Sequence, residues 1–146
     1  MKNTRGFTLA ELLAVMVIAV ILAVTAIPAL NTRDFDAARF ADETRAQIAY
    51  AQKVAVAGRR TVTVIVASNS VTLTMCADAG CGSTVPVPSP QGESSFIRSA
   101  PSGVTINPAT TFTFDALGST PATQTLTITG KDVKTLTVEA VTGYVH

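Results

Sequence analysis

Histidine is almost absent from this sequence: the single one, His146, is the last of 146 residues. With one imidazole, and that at a chain end, a Ser/His/Asp hydrolase has no convincing base and a zinc site lacks ligands. Cysteine is nearly as scarce. Cys76 and Cys81 occur in Cys-Ala-Asp-Ala-Gly-Cys, with four residues between them, which is not the Cys-x-x-Cys of a redox pair. Glycine-rich phosphate loops are missing as well, since Gly80-Cys81-Gly82 does not have that pattern. Charged residues make up only 14% of the chain, well under the usual quarter, which excludes a disordered tail protein. The formal net charge of +1 excludes a broadly basic nucleic-acid coat. No enzyme, catalytic residue, metal or cofactor is expected.

What is present is concentrated at one end. Leu12 to Leu30 is a run of nineteen residues without a charge, and of the charged residues only Lys2, Arg5 and Glu11 precede it. A helix over residues 7–30 would extend about 36 Å, enough for a hydrocarbon core of about 30 Å. Lys2 and Arg5 precede the run and no basic residue follows until Arg33, so the positive-inside bias holds the leader in the cytoplasm and sends residues 31–146 across. That body has nine basic and nine acidic residues and is formally neutral.

Three readings of the run compete. A secretory signal would be cut after Val24-Thr25-Ala26, before Ile27, but its apolar stretch is usually about 7–15 residues. A plain anchor is the second. Neither explains Glu11, because a charge within an apolar span costs on the order of 2–3 kcal/mol and calls for a functional partner.

The third reading is a resemblance. Gly6-Phe7-Thr8-Leu9-Ala10-Glu11-Leu12-Leu13, with the short basic leader before it and the apolar run after it, resembles the type IV prepilin signature shared by pilins and type II secretion pseudopilins. That resemblance implies cleavage between Gly6 and Phe7 by a prepilin peptidase, N-methylation of Phe7, and a role for Glu11 in assembly opposite a Phe7 amine. Glycine at the cut lets a protease approach the carbonyl closely. Pro28 has no N–H for the Val24 carbonyl; it either kinks the helix or ends it at the membrane surface.

Beyond Pro28 the polar residues 31–36 precede an amphipathic helix over 36–57. Ala37, Ala41, Thr44, Ile48, Ala51 and Ala55 line one face, flanked by Phe40 and Val54. Gly58 is its expected cap, so one nearly continuous helix could run from Phe7 to Ala57. Lys53, Arg59 and Arg60 form the one local basic cluster, read either as charges complementing the helix dipole or as phosphate contacts. The period then changes to two. Val62, Val64 and Val66, a turn at 68–70, then Val71, Leu73 and Met75 predict a hairpin. Further strands are expected at 96–99, 104–106, 111–114, 124–129, 134–138 and 142–145. Residues 80–103, with Pro86, Pro88 and Pro90, read as a surface loop. The fold class is α+β: a long N-terminal hydrophobic helix packed on a one-sided antiparallel sheet. The domains are a leader at 1–6, a transmembrane or filament-core helix at 7–30, and a periplasmic body at 31–146, β-rich over 61–146. In that compartment Cys76 and Cys81 are expected to form a disulfide.

Residues 48–60, Phe112-Thr113-Phe114-Asp115-Ala116-Leu117-Gly118 and the closing 138–145 resemble the GspH/FimT branch, most of all minor pilins of MSHA-type pili. This implies a subunit of the bacterial inner membrane, single-pass with its C-terminal domain in the periplasm, that moves into a pilus or pseudopilus and initiates or caps it. The implied partners are other major and minor pilin or pseudopilin subunits, the prepilin peptidase, an inner-membrane assembly platform, and membrane lipid before assembly. Some minor pilins bind DNA through an arginine-rich C-terminal segment. Here residues 139–146 hold an acid and no arginine, so nucleic acid is not an expected partner. A DNA-binding pilin acting through Lys53, Arg59 and Arg60, and a conventionally secreted binding module, are the alternatives.

Overall fold

The computed structural model describes residues 8–26, 36–78 and 80–146. The chain divides into two compact units, Met1–Thr32 and Arg33–His146. The first contains helix α1, Leu9–Ala26. Its sequence is apolar all round, so no polar stripe marks a solvent side. Gly6, Phe7 and Pro28, and the join that would make one helix of residues 7–57, lie outside the described residues.

The second unit begins with helix α2, Asp36–Gly58. Every residue of the expected buried line, Ala37, Ala41, Thr44, Ile48, Ala51 and Ala55, is buried, together with Phe40. The small alanines let α2 lie close against strands of two sheets. The first sheet has the order β3-β2-β1-β6, with β4 also beside β2, from β1 (Val62–Ala67), β2 (Ser70–Cys76), β3 (Thr84–Pro86), β4 (Ile97–Ser99) and β6 (Thr110–Phe114). The second has the order β5-β7-β8, from β5 (Thr105–Asn107), β7 (Gln124–Thr129) and β8 (Val133–Val138). All pairings are antiparallel. The α+β architecture thus stands, with two sheets where one was expected. The chain leaves the first sheet after β4, enters the second at β5, returns for β6 and leaves again for β7. Such a shuttle depends on pairings between residues distant in sequence, to which strand periodicity is blind.

Alternation builds the core. Val62, Val64 and Val66 of β1 face the same side as Val71 and Leu73 of β2, in the register Val62↔Met75, Val64↔Leu73 and Val66↔Val71. On the second sheet Leu126 and Ile128 of β7, Leu136 and Val138 of β8, and Ile106 of β5 are buried. The threonines of β7 take the other face. Met75 breaks the expected pattern: it is half-buried, and Cys76 takes the buried place.

Residues 80–103 are not simply a surface loop. β3 and β4 take successive halves of one edge of β2, meeting at Leu73. There the Val87 N–H donates to the Leu73 carbonyl, the Phe96 N–H to that of Val87, and the Leu73 N–H to that of Phe96, at 3.1, 2.8 and 3.3 Å. Val87 and Phe96 are buried, and Tyr50 of α2 meets the Phe96 ring edge-on at 5.5 Å. Two buried apolar side chains, Val87 between Pro86 and Pro88 and Phe96 beyond Pro90, pull this proline-rich stretch into the core. The buried amide of Gln47 fastens it from α2, with Nε2 donating to the Val71 and Phe96 carbonyls at 3.0 Å each. Gln47 Oε1 and Thr44 Oγ1, both buried, have no hydrogen-bond partner. At the other end of the body, the expected strand at 142–145 reduces to a bridge between Val145 and Val138.

The end of α2 also differs from expectation. The Arg60 N–H donates to the Ala55 carbonyl and the Arg59 N–H to that of Val56, and Arg59 has φ 48°. This is a Schellman arrangement whose left-handed residue is Arg59, one place beyond Gly58.

Candidate assembly site

Thr8 and Glu11 form a reciprocal pair at the start of α1. The Glu11 N–H donates to Thr8 Oγ1 at 3.3 Å, and the Thr8 N–H and hydroxyl donate to Glu11 Oε2 at 3.5 Å each. The spacing is that of a capping box, in which a threonine and a glutamate three residues later satisfy each other's orphan amides. These contacts are long, and a hydrogen bond at that distance is weak. Glu11 is exposed within the single chain, and from Leu9 to Leu22 so are all the large apolar side chains, Leu9 at 84%. Beyond the assembly role expected of it, Glu11 is thus also a cap, signalled in the sequence by Thr-x-x-Glu before an apolar run. Among the described residues no helix is long and apolar enough to cross a membrane. The eighteen residues of α1 measure about 27 Å, just under a hydrocarbon core of about 30 Å.

In the body, Cys76 and Cys81 are disulfide-bonded, with Cα atoms 4.8 Å apart. Asp78 organises the loop they close: its Oδ1 accepts from the Gly82 N–H at 3.0 Å, and its Oδ2 from the Ser83 hydroxyl at 3.4 Å. Arg60 reaches the same loop, Nη1 donating to the Ala77 carbonyl at 2.8 Å. Within the basic cluster, one guanidinium therefore ties the helix end to the disulfide loop and Arg59 closes the helix, while Lys53 is exposed. His146 is fixed through its backbone, which exchanges two hydrogen bonds with Thr137, and its ring stacks on Tyr144 at 5.6 Å.

Gln52 is the residue that sequence reasoning missed. On an amphipathic helix it reads as a boundary residue facing water. Its Nε2 instead donates to the Gly118 and Thr142 carbonyls, at 2.9 and 2.6 Å, joining two loops that lie far apart in sequence. Asp115 builds the first loop, with Oδ1 accepting from the Leu117 and Ser119 N–H groups at 2.9 Å and Oδ2 from the Ser119 hydroxyl at 2.7 Å. The Ser119 bonds foremost hold the Asp115 carboxyl below the usual aspartate range. Gly118 and Gly143 are both left-handed, at φ 82° and 63°. A Cβ on Gly143 would collide with the Gly118 carbonyl, and one on Gly118 would come within 2.9 Å of Val56.

An apolar helix with exposed side chains, followed in the chain by a small α+β body, is the architecture of the pilin class. Residues 1–27 match the prokaryotic N-terminal methylation motif, and residues 41–142 match the family described as Type II transport protein GspH. The chain belongs to that family. No curated protein sequence matches it. Its fold is similar to that of the type IV minor pilin FimU of Pseudomonas aeruginosa in two crystal forms. The P21 form shows 17% identity, a TM-score of 0.54, and coverage of 80% of this chain and 87% of that one. The P65 form shows 18% identity, a TM-score of 0.52, and coverage of 73% and 87%. At such identities the likeness is one of fold. The family consists of structural subunits, not enzymes, and membership implies assembly with other pilin-class subunits. The methylation motif and the family indicate a membrane-anchored subunit whose C-terminal body is periplasmic or extracellular.

Proposed function

We propose that the chain is a minor subunit that initiates or caps an MSHA-like type IV pilus, after a prepilin peptidase has cut between Gly6 and Phe7 and the Phe7 amine has been N-methylated. The observation that carries this reading is Glu11: one carboxylate in the first turn of a helix whose large side chains otherwise present only hydrocarbon. In lipid that helix is an anchor of the inner membrane; among neighbouring helices it is a filament core. Packing against neighbours would desolvate Glu11, and the long capping contacts with Thr8 are weak enough to exchange for a charge-assisted bond to a Phe7 amine. A buried pair of this kind contributes register more than stability. Pro28 would supply a local break in the helix as an assembly platform draws it from the membrane.

Glu11→Ala is expected to leave membrane insertion and cleavage intact and to lower recovery of the chain in sheared filaments about tenfold or more, since an amine left buried without its partner is strongly unfavourable. Immunoblots of sheared and membrane fractions measure this, with mass spectrometry of the mature amino terminus alongside. Wild-type recovery of the variant would overturn the role of Glu11. The family match favours a second reading, a type II secretion pseudopilus. Co-purification with cell-surface fibres supports the pilus; retention in the envelope with secretion subunits supports the pseudopilus.

A further inference from the structure

The second sheet turns one face to solvent, and its registers fix which side chains stand together there. Residues directly opposite in an antiparallel pair share a face. Thr125 therefore stands beside Thr137, and Thr127 beside Thr135. Past β8 the surface continues: His146 exchanges two backbone hydrogen bonds with Thr137, and the Glu139 N–H donates to the Tyr144 carbonyl at 2.9 Å. The rings of Tyr144 and His146 stack with centroids 5.6 Å apart and planes 21° from parallel, and Glu139 Oε1 lies 3.9 Å from His146 Nε2. Tyr144 is 57% exposed, so the stack is open to solvent. Among the described residues the hydroxyls of these four threonines have no hydrogen-bond partner. Threonines also fill the solvent face of the first sheet, where Thr63 stands opposite Thr74 and Thr113. The aromatic residues of that sheet, Phe112 and Phe114, are buried, so its threonines have no exposed ring beside them.

From this juxtaposition we propose that the solvent face of the second sheet binds a neutral polysaccharide. A sugar ring has an apolar C–H face, which stacks on the electron-rich face of an aromatic ring, and hydroxyls that both donate and accept. Tyr144, backed by His146, is the stacking platform; the threonine hydroxyls and the Glu139 carboxylate are the hydrogen-bonding partners. Other occupants suit the face less well. A protein interface has an apolar core, and the threonine rows offer none. Phosphates of nucleic acid call for cations, and the one permanently charged side chain among these positions is an acid. The same acid repels anionic glycans. From Thr125 through Thr137 to His146 the row crosses two strand spacings, about 10 Å, so it suits a chain of linked sugars rather than a single one. This recognition goes beyond the assembly role and does not depend on which filament the chain joins.

The test titrates the isotope-labelled full chain with cellohexaose and with maltohexaose, in dodecylphosphocholine micelles because that headgroup carries no sugar. The amide resonances of Thr125, Thr137, Tyr144 and His146 are expected to shift and saturate together with at least one of the two hexasaccharides, while those of Thr63 and Thr74 on the first sheet stay in place. Tyr144→Ala should weaken binding about tenfold and Thr137→Val about fivefold, with the rest of the spectrum unchanged. An acidic mannuronate hexasaccharide should bind more weakly than the neutral ones, and Glu139→Gln should narrow that gap. The proposal is overturned if neither neutral hexasaccharide shifts these amides at millimolar concentration, if the shifts fall equally on the first sheet, if Tyr144→Ala binds as the wild type does, or if the acidic hexasaccharide binds more tightly.

Discussion

The two apolar surfaces of this molecule are organised in opposite ways. In the body, α2 buries one alanine-rich face against two sheets, and Phe40, Ile48, Leu73 and Phe114 are all but removed from solvent. In α1 the large side chains from Leu9 to Leu22 are at least half exposed in every direction. A one-sided stripe specifies folding within the chain. Apolarity on all sides calls for an apolar surrounding, which the proposed function supplies as lipid and then as neighbouring helices. On the functional reading proposed above, the core folds the body and α1 serves assembly, so truncations inside the core and along α1 should separate in a stability assay.

The sharpest test of this contrast pairs two truncations. Phe40→Ala empties a fully enclosed site and should destabilise the body by about 3–5 kcal/mol, read by denaturation of the detergent-solubilised chain. Leu13→Ala, from a position already exposed, should leave the body's transition unchanged. Equal destabilisation by both would mean that α1 contributes to the body's core and would end the separation argued here.

Much of the body was legible because its signals are local. The three-and-four spacing from Ala37 to Ala55 needs only its own helix, and the β1–β2 hairpin needs only alternation and a short turn. The missed features depend on distant partners. Nothing near residues 84–86 announces a strand; its hydrogen bonds come from β2. Gln47 and Gln52 look like ordinary polar residues until strand and loop carbonyls 24 to 90 positions away supply their acceptors. Gly6, Phe7 and Glu11 are visible in the sequence as a motif, within the residues that match the methylation motif, whereas the Thr8–Glu11 cap adds a local task for the carboxylate.

A smaller effect sharpens the comparison at the junction of helix and sheet. Arg59 occupies the left-handed position that ends α2, where a Cβ is disfavoured by about 1 kcal/mol. Its N–H bond to Val56 is made by the backbone and would survive substitution. Arg59→Gly should therefore stabilise the body by about 1 kcal/mol, read in the same denaturation curves, and leave filament incorporation unchanged. Destabilisation would show that the arginine side chain contributes more than its backbone strain removes, and unchanged stability with lost incorporation would move Arg59 into the assembly surface.

The smallest expected effect belongs to Asp115, which tests whether the 115–119 turn is held independently of the core. Its carboxyl lies below the usual aspartate range because Ser119, through hydroxyl and N–H, and then the Leu117 and Gly118 N–H groups favour the charged form. A group whose folded pKa is depressed contributes stability above its unfolded value of about 4, and that contribution disappears as pH falls through the lower folded value. Between neutral pH and about 5 the wild-type melting temperature should not respond to Asp115. Below about 4 it should decline, and Asp115→Asn should flatten that acid limb while lowering stability slightly at neutral pH. The group is at the surface, so the change in the body's transition is small. The larger consequence is local: amide hydrogen exchange at Leu117 and Ser119 should quicken in the variant although the core still melts cooperatively. A variant with an unaltered acid limb and unaltered amide exchange would show that Gln52 alone fixes the loop.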